Sequence, residues 1–160
     1  MSDFQFTDTP FEASGPIPAE YTCDAEDVSP PLAWSAPPEG TESLALVIDD
    51  PDAPGSGAFT HWVLFDLPPD ATALPRDYAA GDPRLDAGDP SPREGVNDFG
   101  DPQYGGPCPP GGEEHRYVFS LYALDTTLDL ESGAAPDAVH AAIEGHVLAE
   151  AEVVGMYQRG

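Results

Sequence analysis

Three apolar runs, each ended by turn-forming residues, set the limits on what this chain can fold into. Leu44–Ile48 is continuously apolar, His61–Leu67 runs into Pro68-Pro69, and Arg116–Leu124 is the third. Runs of this length and character read as strands, and the unbroken apolar stretch at 44–48 implies burial on both faces. Between them the chain is punctuated heavily, with 20 prolines and 16 glycines in 160 residues. Proline and glycine at that density favour many turns and short strands, and rule out a helical bundle.

Weaker signals fill in the rest. Phe4-Gln5-Phe6-Thr7 alternates and reads as a first strand. Residues 8–43 are turn-rich, and residues 70–113 carry eight prolines with no clear period. An irregular stretch of that length in a compact domain serves a function or wraps the surface. Helix is expected in the last quarter alone. Pro136 suits a first helical position, Val139, Ala142 and Ile143 form an apolar stripe, and Gly145 suits the stop. A short helix or strand follows around His146–Val154. There is no internal repeat or Ser/Gly linker, so residues 1–160 read as one domain. The fold class is mainly β, a sandwich with one or two short C-terminal helices. A chain this long buries roughly 70% of its unfolded surface and needs no staple to fold.

Charge narrows the function. Five basic residues, all arginine, face 30 acidic ones, for a net charge of −25. Disorder is the first reading of such a balance. The apolar runs and the 2 Trp, 6 Tyr and 7 Phe argue against it. The acids are scattered rather than gathered in a tail. A folded domain with a carboxylate surface remains, a composition like that of proteins from organisms that keep molar salt in the cytoplasm. Such a surface repels nucleic-acid phosphates and anionic membranes, so neither is an expected partner. Met1-Ser2-Asp3-Phe4 has neither the basic region nor the apolar core of a signal peptide, and no run of about 18 apolar residues could span a membrane. A cytoplasmic protein is expected. Cys23 and Cys108 then read as two reduced, mostly buried thiols, with a disulfide as the alternative if their Cα atoms come within about 7 Å.

Candidate chemistry gathers at the strand ends. Alternation places Leu44, Leu46, Ile48 and Asp50 on one face of their strand, and His61 with Val63 and Phe65 on one face of the next. If those strands pair antiparallel, Asp50 ends near where His61 begins. His115, which shares a face with Tyr117 and Phe119, opens the third. An acid and two histidines can thus meet at one rim of a sheet, a polar cluster in an apolar wall. Each residue also has a plain structural reading: Asp52 as a turn former, His61 and His115 as hydrogen-bonded strand ends. Gly55-Ser56-Gly57 lacks the spacing of a nucleophile elbow, and a phosphate-cradling loop with lysine is excluded by the absence of lysine. Asp50, Asp52, His61 and His115 are metal-capable residue types, but their spacing requires no metal and none is expected. No cofactor is expected.

The motifs Asp50-Pro51-Asp52-Ala53-Pro54 and Gly106-Pro107-Cys108-Pro109-Pro110-Gly111, the latter followed by His115-Arg116-Tyr117, resemble the two signatures of the phosphatidylethanolamine-binding protein family. Tyr21-Thr22-Cys23-Asp24, Ser29-Pro30-Pro31-Leu32, His61-Trp62-Val63, Asn97-Asp98-Phe99-Gly100, Tyr122-Ala123-Leu124-Asp125, Gly145-His146-Val147-Leu148 and Gly155-Met156-Tyr157 are similar to its prokaryotic, Raf kinase inhibitor-like branch. The resemblance implies an antiparallel β-sandwich with a large central sheet, and a pocket for phosphate or a phosphoryl head group. By motif position the ligand-binding residues would be Asp50, Asp52, Pro54, His61, Pro107, His115, Tyr117 and Tyr157. Phe59 stands where relatives often have tryptophan. Gly55-Ser56 follow the first signature without the basic residue common in the animal branch, which counts against animal-type kinase binding. Arg116, opposite in direction to His115 and Tyr117, is expected to pair with an aspartate. The two histidines are expected to donate to the anion as imidazolium, aided by backbone N–H groups around Gly106–Gly111.

The leading functional expectation is non-enzymatic binding of a small phosphorylated or other anionic ligand, with regulation or inhibition of a partner enzyme. The alternatives are a hydrolase or lyase using an Asp50/His61 acid–base pair, and a protein–protein module with a vestigial pocket. Expected partners are the small anion, a protein, and a second copy of the chain as a homodimer.

Overall fold

A computed structural model describes residues 4–53, 58–79, 92–109 and 111–158. The strands are β1 (Phe6–Asp8), β2 (Leu32–Trp34), β3 (Ser43–Asp50), β4 (Phe59–Leu67), β5 (Ala73–Leu74), β6 (Arg93–Glu94), β7 (Glu114–Leu124) and β8 (Val147–Gln158), with α1 (Pro136–Ile143) between the last two. They form a three-stranded sheet, β1-β2-β5, and a five-stranded sheet, β6-β4-β3-β7-β8. Every strand pairing is antiparallel. The sandwich expected from the sequence is therefore what the chain adopts.

The apolar runs explain the layering. Leu44, Leu46 and Ile48 of β3, Trp62 and Leu64 of β4, and Tyr117, Phe119 and Leu121 of β7 pack with Leu32, Trp34 and Leu74 of the small sheet. On the other face, Ala45, Val63, Phe65 and Leu124 pack under Val139 and Ile143 of α1. The central strands are covered on both sides, which is why β3 is apolar without a break and nearly all buried. Helix α1 begins with proline in its first turn, and the chain leaves it through Gly145 at φ +84°. Among the described residues, no helix is long and apolar enough to cross a membrane.

Two open expectations are decided here. Of the short helix or strand expected around His146–Val154, the strand forms, as part of β8, a 12-residue strand along the whole of β7. Ala149, Glu150, Ala151 and Glu152 favour helix locally, and alternate burial against β7 overrides that preference. The cysteines are not free thiols. Cys23 and Cys108 form a disulfide with Cα atoms 5.4 Å apart, bridging a sequence separation of 85. The Cys23 N–H donating to the Pro107 carbonyl and the Gly106 N–H donating to Asp27 Oδ1 bring the two segments together. Formed disulfides persist mainly in oxidising compartments, so the bridge removes the thiol-based support for a reducing one.

Candidate functional site

Asp50, His61, His115, Tyr117 and Tyr157 converge where β3 ends and β4 and β7 begin. The route by which His61 arrives differs from simple alternation. Ile48 pairs with Trp62, but Asp49 pairs with Thr60, so β4 carries one extra residue, His61, at a bulge. Strict alternation with Val63 and Phe65 would have sent His61 toward α1, since those two belong to the α1-side core. The bulge turns it to the opposite face, where its ring packs edge-on against Tyr117 with centroids 5.2 Å apart. A second bulge, at Asp66 with φ +58°, adds another extra residue further along β4. That carboxylate is buried, accepts the Leu128 N–H at 2.8 Å, and has its pKa raised, chiefly by burial.

The two histidines carry their protons differently. His61 Nδ1 lies 2.7 Å from the Gly105 carbonyl oxygen. A carbonyl only accepts, so Nδ1 holds the proton and Nε2 presents a lone pair. Burial lowers the His61 pKa, outweighing the opposing pull of the Gly105 carbonyl and of Asp50 and Asp49. That shift works against the imidazolium expected at this position and favours a neutral ring. His115 is the reverse case. Burial works against its charge, yet the Asp50 carboxylate, with Oδ2 2.7 Å from Nδ1, and Glu113, with Oε2 3.4 Å from Nε2, raise its pKa overall. Asp50 is only 3% exposed, and its other oxygen accepts the Asp52 N–H at 2.8 Å. Asp50 thus hydrogen-bonds His115 rather than His61, which it reaches through its charge.

Tyr117 is fully buried, and among the described residues its hydroxyl makes no hydrogen bond of normal geometry, although the Asp50 carboxylate lies near it. Burial and the nearby Asp50 charge push its pKa up, so it is a neutral O–H. Tyr157 stands opposite His115 in the β7–β8 register, and its hydroxyl donates to Asp24. Gly155 stands opposite Tyr117. A side chain there would collide with Ile17 and Phe11, so glycine lets the 11–17 segment close over the strand.

The remaining expected residues separate from this centre. Asp52 is engaged by Arg116: its oxygens accept from Nε at 3.0 Å, from Nη2 at 2.9 Å and from the Arg116 N–H at 2.8 Å. Those bonds hold its pKa down at about 2. The aspartate partner expected for Arg116 is thus Asp52, an anchor for the loop rather than a group aimed at an anion. Pro107 is buried in the 103–109 segment, its carbonyl accepting from Cys23. Pro54 lies outside the described residues.

Sequence reading missed three contributors. The Gly105 carbonyl sets the His61 tautomer, and a backbone acceptor leaves no mark in a motif. Glu113 stands against the outer nitrogen of His115. Phe99, 49% exposed, lies 4.8 Å from the Phe59 ring and 5.5 Å from that of His61. The Asn97-Asp98-Phe99-Gly100 motif was visible, and Asn97 is what shapes it, accepting the Phe99 and Asp101 N–H groups and donating to the Gln103 carbonyl. Beside the centre, a shallow depression is lined by Asp52, Glu113, Glu114, His115, Arg116 and Met156.

Comparison with known proteins decides the family. The family model described as phosphatidylethanolamine-binding protein matches residues 7–158. The chain belongs to the phosphatidylethanolamine-binding protein family. A UPF0098 protein of Methanothermobacter thermautotrophicus is 54% identical over 151 residues, covering 94% of this chain and 95% of the relative. One from Aquifex aeolicus is 43% identical, covering 93% of this chain and 85% of its own length. Among solved structures, a phosphatidylethanolamine-binding protein homologue from Chlamydia trachomatis superposes with TM-score 0.87 at 34% identity, over 99% of this chain and 100% of that one. YbcL of Escherichia coli, described as a new member of the mammalian family, gives 0.89 at 31% identity over the same shares. Within the family, this chain has a fold of two antiparallel sheets.

Proposed function

We propose that this family member binds a small phosphorylated anion without transforming it, and through that binding regulates or inhibits a partner enzyme. One observation, the arrangement of donors and acceptors, carries the reading: His115, held by Asp50, can donate; His61 Nε2 can only accept while neutral; and the buried Tyr117 hydroxyl makes no hydrogen bond of normal geometry among the described residues. Two donors and an acceptor suit a phosphoryl group that still carries one proton, whose P–OH meets His61 while its bare oxygens meet His115 and Tyr117. The acidic surroundings fit the same species. A monoanion loses less to a chain of net charge −25 than a dianion does.

The acid–base reading is weaker on this geometry. Asp50 is committed to His115, and Tyr117, kept protonated by its surroundings, is a poor nucleophile. The high-salt cytoplasm inferred from composition and the homodimer remain part of the proposal, with no described feature that argues for the dimer.

Calorimetric titration of inorganic phosphate and a simple phosphomonoester tests this. Binding lost in both His61→Ala and His115→Ala, with the fold intact, is the expected result. Unchanged binding in both variants places the site elsewhere, and turnover of an ester panel that disappears in His61→Ala favours the enzyme.

A further inference from the structure

The segment that orients His61 has no regular structure of its own. Residues 104–109 lie outside every strand and helix. Individual bonds hold the segment: Gly105 N–H to the His61 carbonyl at 3.0 Å, Tyr104 Oη–H to the Tyr21 carbonyl at 2.7 Å, Gly106 N–H to Asp27 at 2.8 Å, and Cys23 N–H to the Pro107 carbonyl at 3.2 Å. Three of these four end on the Tyr21–Asp27 turn. That turn is itself irregular and largely exposed, and Asp27 sits at φ +58°. It also receives the Tyr157 hydroxyl at Asp24, so two walls of the site depend on it. Approach at this junction is close, since a side chain at Gly106 would collide with the Asp27 carboxylate and the Tyr21 carbonyl. The single covalent tie between the two segments is the Cys23–Cys108 bridge, and Cys108 is exposed. Accessible disulfides are the ones open to exchange with a dithiol.

We propose that the Cys23–Cys108 disulfide is a redox latch on the site: closed, it holds the 104–109 segment so that the Gly105 carbonyl fixes the His61 proton on Nδ1; opened by a dithiol reductant, it releases that carbonyl and binding falls. The consequence for binding rests on the phosphoryl reading above; the tautomer consequence does not. The exchange is a two-electron step. A thiolate of the reductant attacks the exposed Cys108 sulfur, the protein S–S bond breaks, and Cys23 leaves as thiolate and takes up a proton. The second thiol of the reductant then attacks its own sulfur in the mixed disulfide. Cys108 is expelled as a second thiol, and the reductant is left oxidised to its disulfide. Without the latch, the segment is held by single hydrogen bonds and leaves the competent arrangement for part of the time. Apparent affinity drops by the fraction of time spent competent.

The test uses the full chain in high salt, oxidised, reduced with dithiothreitol, and as the Cys23→Ser/Cys108→Ser double variant. Inorganic phosphate is titrated calorimetrically, and the His61 ring nitrogens are followed by NMR. The oxidised protein is expected to show Nδ1 protonated and to bind phosphate. Both opened forms are expected to show averaged tautomers and about tenfold weaker binding, reversed by reoxidation of the reduced form. With loss of the bridge verified by mass, an unchanged tautomer and affinity overturns the latch. Global unfolding on reduction, seen by circular dichroism, also overturns it, because the bridge is then a staple of the whole fold. If the oxidised protein does not bind phosphate, the phosphoryl reading fails, and the tautomer signal still decides the latch.

Discussion

His61 and His115 sit in one site with pKa values shifted in opposite directions, and that difference governs how the site responds to pH. His115, raised by Asp50 and Glu113 against its burial, contributes stability fully below the unfolded histidine value of about 6.5 and loses it as pH rises through the higher folded value. His61, lowered by burial, contributes above about 6.5 and loses that contribution as pH falls through its lower folded value. Asp52, bound by Arg116, contributes fully above the unfolded aspartate value of about 3.9 and loses that contribution as pH falls toward its folded value of about 2. The residue most in the way of an anion is Glu113, whose carboxylate lies 3.4 Å from the outer nitrogen of His115 and is itself 63% exposed. Glu113→Gln removes a competing charge without disturbing the core. Phosphate affinity measured by calorimetry is expected to rise by about threefold to tenfold, and a fall would mean that Glu113 helps hold the ligand.

The central strands were legible at the level of elements because burial on two faces leaves an unbroken apolar run, as at Leu44–Ile48. β8 was legible only as a choice between helix and strand, because its buried positions are alanines between glutamates, and pairing with β7 is what makes such a segment a strand. The acid and the two histidines were placed at the correct rim from sequence, but the direction of His61 depends on a bulge that shows itself only in the β3–β4 register. The Cys23–Cys108 pairing was equally hidden, since it requires two irregular segments 85 residues apart to meet. The two cores make separable demands. Ile143 of α1 is 5% exposed in the core beyond the large sheet, away from the site. Ile143→Ala is expected to cost about 2–4 kcal/mol in denaturant unfolding and to leave phosphate affinity within about twofold. A large loss of affinity in the folded variant would show that the α1-side core and the site are coupled.

Over the whole molecule, charge has the widest reach. With −25 on a chain whose radius of gyration is about 15 Å, repulsion extends across the molecule in dilute buffer, where the Debye length is about 30 Å at 0.01 M. At 1 M that length is about 3 Å and the repulsion is largely screened. The melting temperature is therefore expected to rise between roughly 0.1 M and 2 M potassium chloride, and equal values would contradict a fold limited by its own charge. Screening should also help an anion approach the site, up to the concentration at which chloride competes. Within that field, the proposed ligand is a singly protonated phosphoryl group placed between a donating His115 and an accepting His61. The direct measurement is the number of protons exchanged on phosphate binding, from calorimetry in buffers of different ionisation enthalpy at constant high salt between about pH 6 and 8. Net proton uptake near pH 7.5 and weaker binding at pH 8 than at pH 6 are the expected results; proton release, or binding and proton count independent of pH, would contradict this mode of holding the anion.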